Sequence, residues 1–282
     1  MTASPGSGYG RSVHPIEHLR YVARAQGADP TALVEETAHA LGSLHFDPSG
    51  LVVACRRIVE RHPFTGALWW LCANVATSAE PFEAVWELAD EIRSDPTGAE
   101  LGAALPDDAV VVTIGDPDVV GAGLVRRGDV RVLALDAGHT ATSFVRRLER
   151  YDVDVEPVDA GVAGVACHHA HVVLVEALAV DSVRAVVPAG SSTIAAAART
   201  WGTEVWLVAG VGRRLPAGFV DAMVAKVDAL VEEIDPWDLD VEVLPTSMFT
   251  HVVGPHGKVP MGPPAIVAEC PMAPELLRHS PI

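Results

Sequence analysis

The stretch at residues 172–210, VVLVEALAVDSVRAVVPAGSSTIAAAARTWGTEVWLVAG, decides the fold. It contains three short apolar runs that are typical of strands buried on both faces, at 172–175, 183–187 and 205–208. Before the last run, Gly190 opens an Ala-rich helix that ends at Gly202. Strand, loop, helix and strand in this order predict a parallel α/β unit. The carboxyl edge of such a sheet is where ligands bind.

The same alternation extends over residues 106–282, which are predicted to form a Rossmann-like α/β domain. Residues 13–105 have helical patterns throughout and predict a separate helical domain. Its helices are expected at 31–41 and 49–61, from Pro63 onward, and at 81–92. Residues 1–12 are rich in Gly and Ser and are predicted to be disordered. The Pro- and Gly-rich tail at 247–282 is expected to wrap the surface or to meet a partner subunit.

Composition restricts the class of partner. The net charge of −17 argues against binding to nucleic acid and to anionic membrane surfaces. No apolar run is long enough to span a bilayer and no signal peptide is recognisable, so a cytoplasmic location is expected. The four cysteines include no CxxC pair, which argues against a zinc ribbon or a disulfide framework.

Two loops after predicted strands carry carboxylates that could contact a ligand. Asp116 follows the run at 109–114, although its position before Pro117 equally suits a helix cap. Asp136 and His139 lie in one loop after the run at 130–135. They are candidates for a general base and acid, or for holding a ligand hydroxyl, with capping by Asp136 as the alternative.

A third loop carries Asp159, and a cluster of imidazoles follows it at 167–171, CHHAH. Three histidines beside Cys167 invite a zinc site. Adjacent histidines point to different faces of a helix or strand, however, and no Glu accompanies them as in an HExxH motif. Solvated or interface histidines and a single ligand contact are the other interpretations. No metal site is predicted.

The start of the Ala-rich helix, GSST at 190–193, combines backbone amides with hydroxyls and suits a phosphate. Ser and Thr also favour helix starts for structural reasons. Arg213 and Arg214 follow the last strand and could add positive charge near a phosphate, or form surface ion pairs. The sequence contains no GxGxxG, Walker A, GxSxG or kinase motif, and no cofactor is predicted.

The chain resembles the family of the α, β and δ subunits of translation initiation factor 2B, which includes methylthioribose-1-phosphate isomerase and ribose-1,5-bisphosphate isomerase. Residues 173–178, VLVEAL, resemble the family's VLVGAD, and 188–192, PAGSS, lie over its Asn-Lys-apolar-Gly-Thr segment. Residues 112–115, VTIG, resemble the strand that leads to a Cys in the isomerases. Residues 135–139, LDAGH, take the place of Glu-(Thr/Ser)-Arg-Pro, and 61–69, RHPFTGALW, resemble the Arg-Pro-Thr helix opening.

The departures from the family pattern bear on function. The resemblance implies a Cys and an Asp as the isomerase acid–base pair, and Gly115 and Leu178 stand at those positions. The Asn-Lys pair is replaced by Pro188 and Ala189, and the arginine of the third motif is missing. Since neither glycine nor leucine can transfer a proton, the family's isomerase mechanism does not carry over.

The resemblance implies a fold like that of ribose-5-phosphate isomerase and the CoA transferases, a homodimer, and a phosphorylated sugar or nucleotide bound in the cleft between the two domains. The predicted ligand-binding residues are His62, Gly115, Asp116, Gly138, Gly190, Ser191 and Ser192. The alternative is a sugar-phosphate isomerase with a rebuilt acid–base set. Its predicted members are Asp136, His139, Asp159 and Cys167.

Overall fold

The structure, a computed structural model, describes residues 30–43, 48–136 and 141–278. The amino-terminal residues that were predicted to be disordered, and the candidates Gly138 and His139, lie outside this described part. No helix within it is both long and apolar enough to cross a membrane.

Five helices come first: α1 (Pro30–Gly42), α2 (Pro48–Arg61), α3 (Gly66–Thr77), α4 (Pro81–Arg93) and α5 (Thr97–Ala104). The first four pack around one buried apolar core that includes Leu41, Leu68 and Leu71. The predicted starts of these four are confirmed to within three residues. The third helix begins at Gly66 rather than Pro63, because the amide of Thr65 first closes a turn onto His62 at 3.2 Å.

Helix α5 lies within the helical region predicted at 13–105 but was not among the four helices expected there. The side chain of Asp95 holds its start, accepting a hydrogen bond from the amide of Thr97 at 2.9 Å. Leu101 of α5 is fully buried in the same apolar cluster as the strands of the sheet. This helix therefore packs on the sheet.

The chain then alternates strands and helices: β1 (Val110–Ile114), α6 (Asp118–Arg127), β2 (Arg131–Leu135), α7 (Ala141–Glu149), β3 (Asp154–Val158), α8 (Ala163–His169), β4 (Val172–Glu176), β5 (Ala179–Val180), β6 (Arg184–Pro188), α9 (Ser191–Trp201), β7 (Glu204–Val208), α10 (Ala217–Glu233), β8 (Val241–Pro245), β9 (His251–Gly254) and β10 (Gly257–Pro260). The main sheet has the order β10-β9-β7-β4-β1-β2-β3, and all its strands are parallel except β10. At its centre Val112 pairs with Leu133 on one side and with Val173 on the other. The predicted Rossmann-like sheet is confirmed, since the strands β3-β2-β1-β4-β7-β9 follow the doubly wound order.

The expectation that 183–187 belongs to the parallel sheet is wrong. Strand β6 pairs antiparallel with β5 and β8 in a separate three-stranded sheet. Asp181 closes a tight turn before β6 by accepting the amides of Val183 and Arg184 at 2.8 and 2.6 Å. Such a short connection permits only antiparallel pairing, because parallel neighbours need a long crossover. Helix α9 still provides the crossover that joins the parallel neighbours β4 and β7.

The carboxyl-terminal region extends the sheet and then returns to the helical part. Strand β9 lies parallel to β7, with His251 opposite Trp206, so the tail is more regular than its Pro and Gly content suggested. Further along, the carbonyl of Glu275 accepts a hydrogen bond of 3.0 Å from Nε of Arg56 in α2. Leu276 is buried in the core formed by the first helices. The tail therefore connects the sheet with the helical part.

Candidate functional site

A cleft of about 810 Å³ opens at the carboxyl edge of the sheet, beside β1 and β4. Between these two strands the order of the sheet reverses direction, and this is where doubly wound sheets bind ligands. The residues that line the cleft are Phe64, Thr65, Gly115, Asp116, Pro117, Asp118, Asp136, Ala160, Glu176, Leu178, Pro188, Ala189, Gly190, Arg213, Trp237, Asp238, Leu239 and Asp240.

Four of the predicted site residues meet in this cleft. Gly115 follows β1 and Asp136 follows β2, and their backbone amides donate to the carbonyls that end the neighbouring strands, at 3.4 and 3.2 Å. Asp116 comes from the same loop as Gly115. Gly190 enters from the start of α9 with a φ of 89°, a conformation that suits glycine.

Three predicted residues near the cleft serve local structure. Ser191 is fully buried and its hydroxyl donates to the carbonyl of Pro188 at 2.6 Å. Asp159 accepts the amide of Gly161 at 2.7 Å and so caps a short 3-10 helix. His62 follows α2 in the turn before Phe64 and is not among the lining residues.

The thiol of Cys167 is also remote from the cleft. Its side chain is fully buried, and the sulfur lies 3.6 Å from the carbonyl oxygen of Ile194 in α9. Burial raises the pKa of this thiol to about 11, so it stays protonated at neutral pH. The proposed catalytic set of Asp136, Asp159 and Cys167 is therefore not brought together.

The histidines beside Cys167 diverge. His168 packs its ring 4.2 Å from that of Trp201, whereas Nδ1 of His171 accepts the amide of Val110 at 2.9 Å. Within the described ranges, no group of three His, Cys, Asp or Glu side chains is arranged to hold a metal ion.

The start of α9, which was expected to bind phosphate, is occupied by a side chain of the protein. Oε1 of Glu242, from β8, accepts a hydrogen bond of 2.7 Å from the amide of Ser192. The next two amides, of Thr193 and Ile194, donate to the carbonyl of Gly190. A phosphate at this helix start would have to displace a carboxylate.

Helix α6 begins in the same way at the other side of the cleft. Oε2 of Glu176, the last residue of β4, accepts the amide of Val120 at 2.9 Å. Burial raises the pKa of this carboxyl, while the charge of Arg213 and the backbone amides at the helix start lower it in part. Both helix starts beside the cleft are thus capped by glutamates of the protein.

Two aspartates between the end of β1 and the start of α6 form ion pairs with an arginine. Arg147 of α7 contacts Asp116 at 2.9 Å and Asp118 at 2.8 Å. Asp116 also accepts a hydrogen bond of 2.6 Å from the hydroxyl of Ser143. The negative charge on this wall of the cleft is therefore partly compensated inside the protein.

Arg213 places a positive charge at the cleft. The residue is only 7% exposed, and its backbone is fixed by hydrogen bonds to Val180 and Gly210. No hydrogen bond or ion pair joins its guanidinium to another residue of the described part, although the charge of Glu176 is near enough to interact. A guanidinium that no carboxylate contacts directly keeps its N–H groups available to an anionic ligand.

The loop that carries Arg213 is itself held by two carboxylates. Asp95 accepts the amide of Val211 at 2.9 Å, and Glu269 accepts the amide of Gly212 at 3.0 Å. Glu269 also pairs with Arg214, which explains why Arg214 is not available to a ligand. Arg213 is therefore presented to the cleft on a fixed backbone.

Several lining residues were not selected from the sequence. Glu176 had a detectable signal, because it is a charge at the end of an otherwise apolar strand that is buried throughout. Phe64 and Trp237 had none, since single aromatic residues in loops occur in most proteins.

No protein-family model and no curated protein matches the chain. Solved structures do match it. Translation initiation factor eIF-2B from Pyrococcus horikoshii OT3 shares 14% identity over 90% of this chain and 98% of its own, with a TM-score of 0.73. The structure of eIF2B beta from Chaetomium thermophilum shares 14% identity over 88% of this chain and 86% of its own, with a TM-score of 0.63. A chain of the tetrameric eIF2B-beta2-delta2 complex from C. thermophilum shares 13% identity over 89% of this chain and 91% of its own, with a TM-score of 0.68.

These matches cover the helical part together with the sheet, and they confirm the predicted resemblance at the level of the fold. At such low identity they establish the arrangement of the chain rather than an activity. The chain therefore has the fold of the subunits of translation initiation factor eIF2B.

Proposed function

We propose that the protein binds a phosphorylated small molecule, a sugar phosphate or a nucleotide, in the cleft and does not isomerise it. The observation that carries this proposal is the guanidinium of Arg213, which lines the cleft and makes no hydrogen bond or ion pair with another described residue. Phosphate oxygens match a guanidinium in geometry and charge.

The phosphate is assigned to Arg213 rather than to the start of α9. Glu242 already accepts a hydrogen bond from the amide of Ser192, so this amide is not available to a phosphate. Gly115 and Gly190 have no side chains, which leaves room for a ligand beside the backbone. Asp136 and the exposed Asp240 are positioned to accept hydrogen bonds from ligand hydroxyls.

Absence of turnover is supported by two lining residues. Gly115 and Leu178 stand where the resembled isomerases carry their Cys and Asp, and both lie in the cleft. Neither side chain can exchange a proton with a substrate.

A second candidate function, an isomerase with a rebuilt acid–base set, is favoured by one specific observation. Glu176 is a buried carboxyl in the cleft whose pKa burial raises, as is common for general acids and bases. Exchange of solvent deuterium into bound ribose 5-phosphate, lost in Glu176→Gln, would identify this chemistry.

Calorimetric titration with ribose 5-phosphate and with ribose tests the primary proposal. We expect ribose 5-phosphate to bind and ribose to bind at least about tenfold more weakly, because only the phosphate engages the guanidinium. Mass spectrometry after incubation in D₂O should find no deuterium in the sugar. Equal affinities, or binding of neither compound, would contradict the proposal.

We further propose that the protein is a homodimer in the cytoplasm, as expected from the sequence. The tetrameric assembly named for one structural neighbour supports an oligomeric state. Light scattering coupled to size exclusion should give 59.4 kDa, which is 2 × 29.7 kDa. A mass of 29.7 kDa would exclude the dimer.

A further inference from the structure

Trp237 lies at the mouth of the cleft with its side chain 79% exposed. Among the described residues no other large apolar side chain is more exposed. A single exposed apolar residue needs no explanation in general. This one lines the concave site in which the ligand is expected, where aromatic side chains commonly provide the contact surface.

The backbone around Trp237 is held in place. It belongs to a short 3-10 helix, Pro236–Asp238, in which the amide of Asp238 donates to the carbonyl of Asp235 at 2.9 Å. Two residues later the carbonyl of Asp240 accepts the amide of Ala189 at 2.9 Å, next to Gly190. The indole is therefore carried by a segment that is tied to the cleft.

The same cleft has a second aromatic side chain and a cation. Phe64, half-buried in the turn before α3, lines it from the helical part of the chain, whereas Arg213 lines it from the sheet. Indole and phenyl faces suit an aromatic ring, and a guanidinium suits a phosphate. A volume of about 810 Å³ is within the usual range for small-molecule sites and accommodates both parts of a nucleotide.

We propose that Trp237 is a specificity-determining residue that stacks on an aromatic base, so that the cleft prefers nucleoside monophosphates to sugar phosphates. This inference rests on the proposed function. Of the two ligand classes proposed there, sugar phosphates and nucleotides, it selects nucleotides. A sugar phosphate leaves the indole in water, whereas a base covers it. Stacking on aromatic side chains tolerates purines and pyrimidines alike, because every base has a π face.

The test is a calorimetric titration of the full chain with AMP, UMP and ribose 5-phosphate. In the wild type, both nucleotides should bind more tightly than ribose 5-phosphate. Trp237→Ala should weaken both nucleotides about tenfold, as expected for the loss of one stacked base. It should leave the affinity for ribose 5-phosphate unchanged, and Trp237→Phe should restore most of the nucleotide affinity. Trp201→Ala is the matched control, since that indole is 54% exposed but lies at the end of α9 away from the cleft.

The possible failures are distinguishable. Equal weakening of the nucleotides and ribose 5-phosphate, no weakening of the nucleotides, or the same loss in Trp201→Ala would overturn the role of Trp237 and leave the proposed function standing. Equal affinity of the wild type for ribose 5-phosphate and AMP would also overturn the role of Trp237 and leave the proposed function standing. If none of the three compounds binds the wild type, the proposed function and this inference both fail.

Discussion

Oε1 of Glu242 accepts a hydrogen bond of 2.7 Å from the backbone amide of Ser192, so a strand of the small sheet caps the helix start that the sequence suggested for phosphate. A carboxylate at a helix amino terminus is favourable both as a hydrogen-bond acceptor and as a charge near the positive end of the helix dipole. The GSST segment therefore has a structural role, and the proposed phosphate site is Arg213 instead.

Removal of the cap should lower stability without changing binding. We expect Glu242→Ala to reduce the free energy of unfolding by about 1 kcal/mol, as is typical of a lost amino-terminal cap. The affinity for ribose 5-phosphate should stay as in the wild type. Urea denaturation and calorimetry measure the two effects, with Glu232→Ala, on the exposed end of α10, as control. A large gain in affinity would show that the phosphate site is the helix start.

Glu176 should make stability depend on pH. Because burial raises its pKa above the ordinary 4.5, the folded state holds this proton more tightly than the unfolded state. The stabilisation by the protonated carboxyl is fully present below the unfolded pKa and is lost as pH rises through the folded pKa. Glutamine is neutral throughout, so the wild type should lose stability relative to Glu176→Gln as pH rises from about 4.5 through the raised folded pKa.

Urea denaturation of both proteins across this pH range measures the difference. Glu232→Gln, in which the carboxylate removed is exposed, should show no such trend. A stability difference that is independent of pH, or that favours the wild type as pH rises, would contradict the assignment.

Gly66 should be intolerant of a side chain. Its amide donates to the carbonyl of Leu178 at 3.0 Å, and a Cβ added there would overlap that oxygen. Gly66→Ala should therefore lower the free energy of unfolding by about 1–3 kcal/mol and weaken ligand binding, since Thr65 and Leu178 line the cleft. Gly164→Ala in α8 is the control, because nothing lies within 4 Å of the added carbon. Equal stability of the two variants in urea denaturation would argue against this contact.

The elements that the sequence predicted well are those whose signal is local. The Val-rich runs and the start of α4 at Pro81 depend on neighbouring residues, so their positions followed from the pattern. The placement of β6 did not follow, because a buried apolar run does not reveal which strand it pairs with.

The candidate site was predictable to the extent that it depends on the sheet. Gly115, Asp116 and Asp136 follow neighbouring parallel strands, and such loops meet at one edge. Glu242 lies 50 residues from Ser192, and no local pattern announces that contact. Nor did the order of residues show that Glu269 would engage Arg214 and leave Arg213 facing the cleft.

The central claim is tested by calorimetric titration of ribose 5-phosphate into Arg213→Met. The matched control is Arg150→Met, which removes an exposed guanidinium directly after α7. We predict that Arg213→Met weakens binding by a factor of about 10 to 100, the usual contribution of hydrogen bonds to a charged group, and that Arg150→Met has no effect. Because the guanidinium makes no hydrogen bond or ion pair within the described part, any loss of stability in urea should be confined to its charge interaction with Glu176. Unchanged affinity together with a large loss of stability would contradict the account, because Arg213 would then be a structural partner of Glu176 and not the site of the phosphate.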